Sequence, residues 1–133
     1  PLIRQGIMQS PHFQTLAEYW QRLDIAVVGI GSPAIRHAAN WQAFYGNAQS
    51  DELEALQVAG DICSRFFADD GMPVATAMQD KTLSIELKTL KQARYVIGLA
   101  SGEEKYAALL GALRGQHINA LVTDRATAEY LVQ

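Results

Sequence analysis

A chain of 133 residues is long enough to bury a real core, and 49% hydrophobic with 19% charged residues is the composition of an ordinary globular domain, not of a disordered segment. A net charge of −3 and a pI of about 5.5 repel a phosphate backbone and make the chain a poor nucleic-acid binder on its own. The single cysteine, Cys63, excludes an intrachain disulfide and a C-x-x-C metal site.

One cysteine fits a reducing, cytoplasmic setting. No run approaches the roughly 20 apolar residues of a membrane span, and the first residues lack the charged and apolar regions of a signal peptide. Because the chain opens on Pro1 without an initiator Met, it is read as a possible piece of a longer protein.

In chain order, residues 1–9 read as an extended lead-in. Ser10 followed by Pro11 is an N-cap with proline at the first helical position, and Phe13, Leu16, Ala17, Trp20 and Leu23 supply a helical stripe. His12, in the first turn, reads as a solvated surface residue. Ile25, Ala26, Val27 and Val28 form a continuous apolar run, the mark of a strand covered on both faces. The run leads into Gly29, Ile30 and Gly31, with Pro33 and Ala34 just beyond. This spacing matches the dinucleotide fingerprint G-x-G-x-x-A, and Asp51 falls about 20 residues on. Asp51, however, follows Ser50 and precedes Leu53 and Leu56, so it reads as the first turn of a helix. A glycine turn beside a ligand is the stronger reading.

Over 34–48, apolar positions suggest a short helix in which Arg36 and His37 stand as loop-surface residues or anion contacts. A helix is expected from Ser50 to 59, with Gly60 as its stop. Residues 61–67 then read as a strand, 68–71 as an aspartate–glycine turn, and 72–78 as the return strand of a hairpin. Asp61, opening this hairpin, reads as a solvated strand end or as an acceptor for ligand hydroxyls. Arg65 reads as a surface or inter-subunit charge. Residues 80–93 carry a strand-like piece and a brief helix.

Residues 95–100 are the next apolar strand, broken by Ser101 and Gly102. Tyr106, Leu109, Leu110 and Leu113 recur as one helical stripe ending at Arg114, with Gly115 behind it. A helix N-terminus favours an anion, and Lys105 in its first turn adds a full charge. The competing reading is an S-x-x-E capping box of Ser101 and Glu104 with Lys105 in water. His117, in the turn before the strand at 118–122, reads as structural. Thr123 and Asp124 open a last helix. Residues 95–122 therefore form a βαβ unit, with 25–28 as a third parallel strand. Ligands bind beyond the carboxyl ends of such strands, where Gly29–Gly31, Ser101–Lys105 and Thr123-Asp124 converge.

Gly29-Ile30-Gly31, Gly60-Asp61-Ile62-Cys63-Ser64-Arg65-Phe66-Phe67, Gly71, Gly102-Glu103-Glu104-Lys105 and Leu121-Val122-Thr123-Asp124 fall in an order that resembles the SorC family of bacterial transcriptional regulators, which includes the deoxyribonucleoside regulator of bacilli. The resemblance runs over nearly the whole chain. It implies the C-terminal part of a sugar-binding effector domain whose N-terminal helix-turn-helix is not in this chain. It also implies an α/β fold, a Rossmann-like parallel sheet flanked by helices with an inserted β-hairpin, resembling glucosamine-6-phosphate deaminase and ribose-5-phosphate isomerase (the NagB/RpiA/CoA-transferase-like fold).

By the same resemblance the ligand is a phosphorylated sugar, and the assembly a homo-oligomer, dimer or tetramer. DNA is bound only through the missing domain, with no membrane contact, no cofactor, no metal and no catalysis. Gly102, Glu103 and Lys105, with Ser101 in the turn, would hold the phosphate. Asp61 would accept sugar hydroxyls, and Gly29 and Gly31 would wall the site. Ser101 stands where a second glycine is common, and Ala68 where an aspartate often follows the two phenylalanines. A sugar-phosphate isomerase or deaminase, with Asp61 and His117 as candidate proton movers, is the alternative. A dinucleotide-binding domain is the weaker one.

Overall fold

Three of the apolar runs pair as parallel strands: β1 (Ile25–Gly29), β4 (Tyr95–Leu99) and β5 (Ala120–Val122), in the order β1-β4-β5. The computed structural model describes residues 2–35, 43 and 46–133. Arg36, His37 and the short helix expected around them lie outside the described residues. Among the described residues the remaining elements are α1 (Leu2–Gln9), α2 (Pro11–Gln21), α3 (Asn47–Ala55), β2 (Gly60–Ile62), β3 (Arg65–Phe67), α4 (Leu87–Leu90), α5 (Tyr106–Arg114) and α6 (Arg125–Leu131), with three short 3-10 turns. The α/β class with a parallel sheet and an inserted hairpin is as expected.

The register sets which residues form the core. Ala26 stands opposite Val96 and Val28 opposite Gly98, and all four are buried. They pack with Ile30, Ile62, Phe67, Leu87, Leu90, Ala108, Leu109, Ala112 and Ile118, joined by Trp20, Leu23, Leu121 and Leu131. A satellite cluster of Leu53, Val58 and Phe66 lies beneath α3.

Several local expectations are corrected. The lead-in is helical: α1 ends where Ser10 accepts the Phe13 N–H at 3.3 Å to cap α2, and its Arg4 donates to the Thr82 carbonyl at 2.9 Å. The segment 61–67 is not one strand but a complete hairpin. It folds back at Cys63 (φ 54°) and Ser64 (φ 59°), a two-residue loop with both residues left-handed, as in a type I′ turn. The 68–71 turn exists, with Gly71 at φ 87°, yet the return shrinks to a bridge from Phe67 to Pro73 and a bond from the Val74 N–H to the Phe66 carbonyl. Pro73 has no N–H with which to extend the ladder.

The α3 helix ends at Ala55, not at residue 59. Gly60 serves packing instead, since a Cβ there would stand 2.6 Å from the Ala108 Cβ. The buried face of α5 is Ala108, Leu109, Gly111 and Ala112, while Leu113 is exposed. Small residues win that face because the helix lies directly on the hairpin, where a Cβ on Gly111 would meet the Ala68 carbonyl at 2.7 Å. Finally, β1 is covered on one face only, its exposure alternating along the strand. The structural reading of His117 fits its surroundings: its ring lies 5.1 Å from that of Phe67, and its Nε2 is 2.7 Å from the Gly71 carbonyl.

Candidate functional site at the carboxyl edge of the sheet

Just past β1 the chain crosses the start of the hairpin. The Gly31 N–H donates to the Asp61 carbonyl at 2.9 Å, and the Asp61 N–H to the Gly31 carbonyl at 3.1 Å. This two-bond bridge presses the Asp61 carboxylate onto the Gly31 Cα, so any side chain at position 31 would collide with it. Glycine is required there for that close approach.

Asp61 is 9% exposed, and its Oδ2 accepts the Ser64 N–H at 3.1 Å, which helps hold the left-handed turn. Burial pushes its carboxyl above the usual range, against the opposing pull of the Ser64 N–H and the Lys105 charge. The ammonium of Lys105 reaches the same corner, donating to the Ile30 carbonyl at 2.8 Å. Gly31, Asp61 and Lys105 thus form one cluster.

The turn after β4 is built differently from the expected capping box. Gly102, at φ 106°, is the N-cap of the 3-10 turn Glu103–Lys105 that leads into α5, and no side chain caps it. Its own N–H donates to the Thr127 Oγ1 at 3.1 Å. The Glu104 carboxylate folds back over the Gly102 Cα, and the Glu104 carbonyl accepts from the Ser32 hydroxyl at 2.7 Å. Neither half of the capping-box reading holds, since Lys105 does not point into water and Glu104 does not pair with Ser101.

Ser101 instead lies beside Asp124, which caps α6 by accepting the Thr127 N–H at 2.7 Å. The Thr127 N–H and hydroxyl hold the Asp124 carboxyl below its usual range, with Ser101 contributing. Between these turns lies an open crevice of about 360 Å³, lined by Leu99, Ala100, Ser101, Val122, Thr123 and Asp124. The hydroxyl of Thr123 is buried there and meets no partner among the described residues.

The expected residues therefore occupy two adjoining clusters. Gly31, Asp61 and Lys105 form one, and Ser101 joins the crevice. Gly102 sits between them, while Gly29, the last residue of β1, borders open space and Glu103 is exposed. Sequence reasoning missed Ser32 and Thr127, two hydroxyls that tie the turns together. The D-x-x-T spacing of Asp124 and Thr127 was the available signal for the second. The fingerprint reading fails on geometry: Asp51 lies within α3, and the Gly31 N–H is taken by Asp61. Likewise Asp61 and His117 form no catalytic pair, each being held by other partners.

A second cavity of about 360 Å³ lies beside the hairpin, lined by residues that include Arg65, Thr76, Gln79, Glu86 and Lys88. Arg65 is buried there, not a surface charge. It is consumed by the Ser84 and Ile85 carbonyls and by Glu86, whose carboxylate lies at 2.7 Å. Among the described residues no cluster of three or more His, Cys, Asp or Glu could hold a metal ion, and no helix is long and apolar enough to cross a membrane.

Comparison with known proteins places this geometry in a family. Residues 1–133 match the family described as "Putative sugar-binding domain" (Sugar-bind). The sorbitol operon regulator of Klebsiella pneumoniae is 63% identical over 133 residues, covering all of this chain and 42% of that protein, and its full-length crystal structure superposes with a TM-score of 0.96. The deoxyribonucleoside regulator of Bacillus subtilis (strain 168) is 31% identical over 98% of this chain and 41% of its own length. A crystal structure described as "a domain of a possible sugar-binding transcriptional regulator", from Arthrobacter aurescens TC1, is 26% identical with a TM-score of 0.86, covering 98% of this chain and 50% of that one. The chain spans less than half the length of the curated relatives it matches. It belongs to the family of sugar-binding domains found in SorC- and DeoR-like transcriptional regulators.

Proposed function

We propose that residues 1–133 are the C-terminal part of an effector domain, and that the whole protein is a sugar-responsive transcriptional regulator sensing a phosphorylated sugar. The observation that carries this reading is the corner where Lys105 and the buried Asp61 meet at the carboxyl edge of a parallel sheet. A cation and a carboxylate acceptor side by side suit a ligand with a phosphate at one end and hydroxyls at the other. Lys105, now bonded to the neutral Ile30 carbonyl, exchanges that partner for a phosphate in a stronger, charge-assisted contact. Ser101, Gly102 and Glu103 border the phosphate end. Asp61 accepts sugar hydroxyls, and Gly29 and Gly31 form part of the wall.

The relatives with names are transcriptional regulators, and the site needs no proton transfer to sense a ligand. We therefore read the protein as a cytoplasmic, non-catalytic sensor without cofactor or membrane contact. DNA is bound through a separate N-terminal domain, and the effector favours one arrangement of a homodimer or homotetramer over another. The test is a thermal-shift screen of the whole protein against sugar phosphates, the matching free sugars and nucleotides, with a turnover assay on every hit. A shift from a sugar phosphate without turnover supports the reading. Turnover would make it an isomerase- or deaminase-like enzyme, and a shift from nucleotides alone would overturn it.

A further inference from the structure

One helix holds the turn that carries Lys105 from both sides. Thr127, in the first turn of α6, is 1% exposed, and its Oγ1 accepts the Gly102 N–H at 3.1 Å. About one turn further along α6, the Tyr130 ring stacks on that of Tyr106, with centroids 3.9 Å apart and planes at 14°. Gly102 and Tyr106 flank the 3-10 turn Glu103–Lys105, so Lys105 sits between two contacts to the same helix.

The first contact is chained to Lys105 through the main chain. Gly102 gives its N–H to Thr127, and its carbonyl accepts the Lys105 N–H at 3.0 Å. Only the backbone rotations of Gly102 separate these two bonds, and its φ is 106°. A glycine has no Cβ with which to hold one conformation, and no side chain of the turn itself caps it, so the hold comes from outside. Asp124 in turn fixes Thr127 by accepting its N–H at 2.7 Å.

We propose that Thr127 is a positioning residue for phosphate recognition: its hydroxyl, reaching across from α6, fixes the Gly102 backbone and through it Lys105, so that the ammonium is presented beside Asp61 in one place. This inference rests on the phosphosugar reading of that corner. The Gly102 N–H, spent on Thr127, is then not a phosphate donor, and Gly102 serves the site through its conformation. Valine at position 127 would keep the shape but leave that N–H without its acceptor, and the turn would shift to satisfy it.

The test uses inorganic phosphate as the probe on the whole protein, titrated by calorimetry, counting only the binding that Lys105→Ala removes. Thr127→Val deletes the hydroxyl and Thr127→Ser keeps it. Leu131→Ala is the control, because Leu131 packs α6 against the core and has no part in the Gly102 bond. Thr127→Val should raise the phosphate Kd about 5- to 20-fold, and Thr127→Ser should stay within about twofold of the native protein. Leu131→Ala should lower the urea midpoint yet leave the phosphate Kd within about twofold. A further readout needs no variant to fold. Phosphate at ten times its Kd should slow hydrogen exchange of the native Gly102 amide about tenfold, because opening of that bond and binding exclude each other. Native affinity in Thr127→Val, a serine variant as weak as the valine, an equal loss in Leu131→Ala, or unchanged Gly102 exchange would each overturn the inference and leave the phosphosugar reading in place. A native protein without Lys105-dependent phosphate binding would overturn that reading, and the role of Thr127 with it.

Discussion

The Lys105 ammonium donates to the Ile30 carbonyl across 75 residues of sequence, at 2.8 Å. A cation of this kind is held in place by a neutral oxygen and restrained only weakly, so a phosphate can take it over. Lys105→Ala should weaken binding of the phosphosugar by about 10- to 100-fold, the worth of a charge-assisted hydrogen bond, and leave the free sugar nearly unaffected. Titration calorimetry with the two ligands measures this directly. Equal losses for both would show that Lys105 is not the phosphate partner.

Asp61 and Gly31 are locked together by their reciprocal backbone bonds and by the carboxylate lying on the glycine Cα. Gly31→Ala should cost about 2 to 3 kcal/mol, the range for forcing atoms into a packed site, read from the urea midpoint. The collision is with one carboxylate, so the cost should fall sharply in an Asp61→Ala background. A cost independent of position 61 would place the strain in the backbone.

How far this corner was legible in the sequence depends on what each residue signals. Gly29 to Gly31 and Asp61 stood out because glycine after an apolar run and an acid after glycine are local patterns, and the parallel strands were legible from the apolar runs. The hairpin turn at Cys63 and Ser64 was not, because neither residue is the Gly, Asn or Asp that announces a left-handed turn. That conformation is stabilised by the Asp61 side chain and by burial of Phe66 and Phe67. The stripe on α5 misled for a related reason. Of its leucines Leu109 is buried as expected, but Leu113 is exposed, and the close approach of the hairpin selects Ala108, Gly111 and Ala112 for size beside Leu109. Ser32 acts by bonding a group 72 residues away, which no local pattern encodes; the D-x-x-T spacing announces Thr127 as the partner of the Asp124 cap but not its bond to Gly102, 25 residues away.

The Gly71 turn rests directly against the end of α5, backbone to backbone, and a side chain at position 71 would overlap the Gly115 main chain. Position 71 also has φ 87°. Gly71→Ala combines an unfavourable backbone conformation with that overlap and should cost about 3 kcal/mol in urea unfolding. Asp70→Ala, one residue earlier, loses only the exposed bond to the Met72 N–H and should cost well under 1 kcal/mol. Similar losses for both would mean that the turn yields as a unit and that the overlap is relieved.

The last prediction concerns acid. His117 is buried, and because a carbonyl can only accept, its Nε2 must carry the proton donated to the Gly71 oxygen. Its Nδ1 is then a bare acceptor with no partner among the described residues. Protonation would turn it into an unpaired buried donor. Burial accordingly pushes the pKa below the ordinary histidine value, the Gly71 carbonyl pulls the other way, and the Lys91 charge adds to the lowering. Below about pH 6.5 the unfolded chain takes up a proton that the folded one refuses. The stability that depends on neutral His117 is therefore complete above that pH and drains away as the pH falls toward the lowered folded value. Urea midpoints measured from neutral pH down to about 5 should decline. His117→Gln, which keeps a donor for Gly71 but cannot titrate, should flatten the part of the decline that begins near 6.5. An identical slope in the variant would assign the acid sensitivity to other groups and show that the folded chain accommodates the imidazolium at position 117.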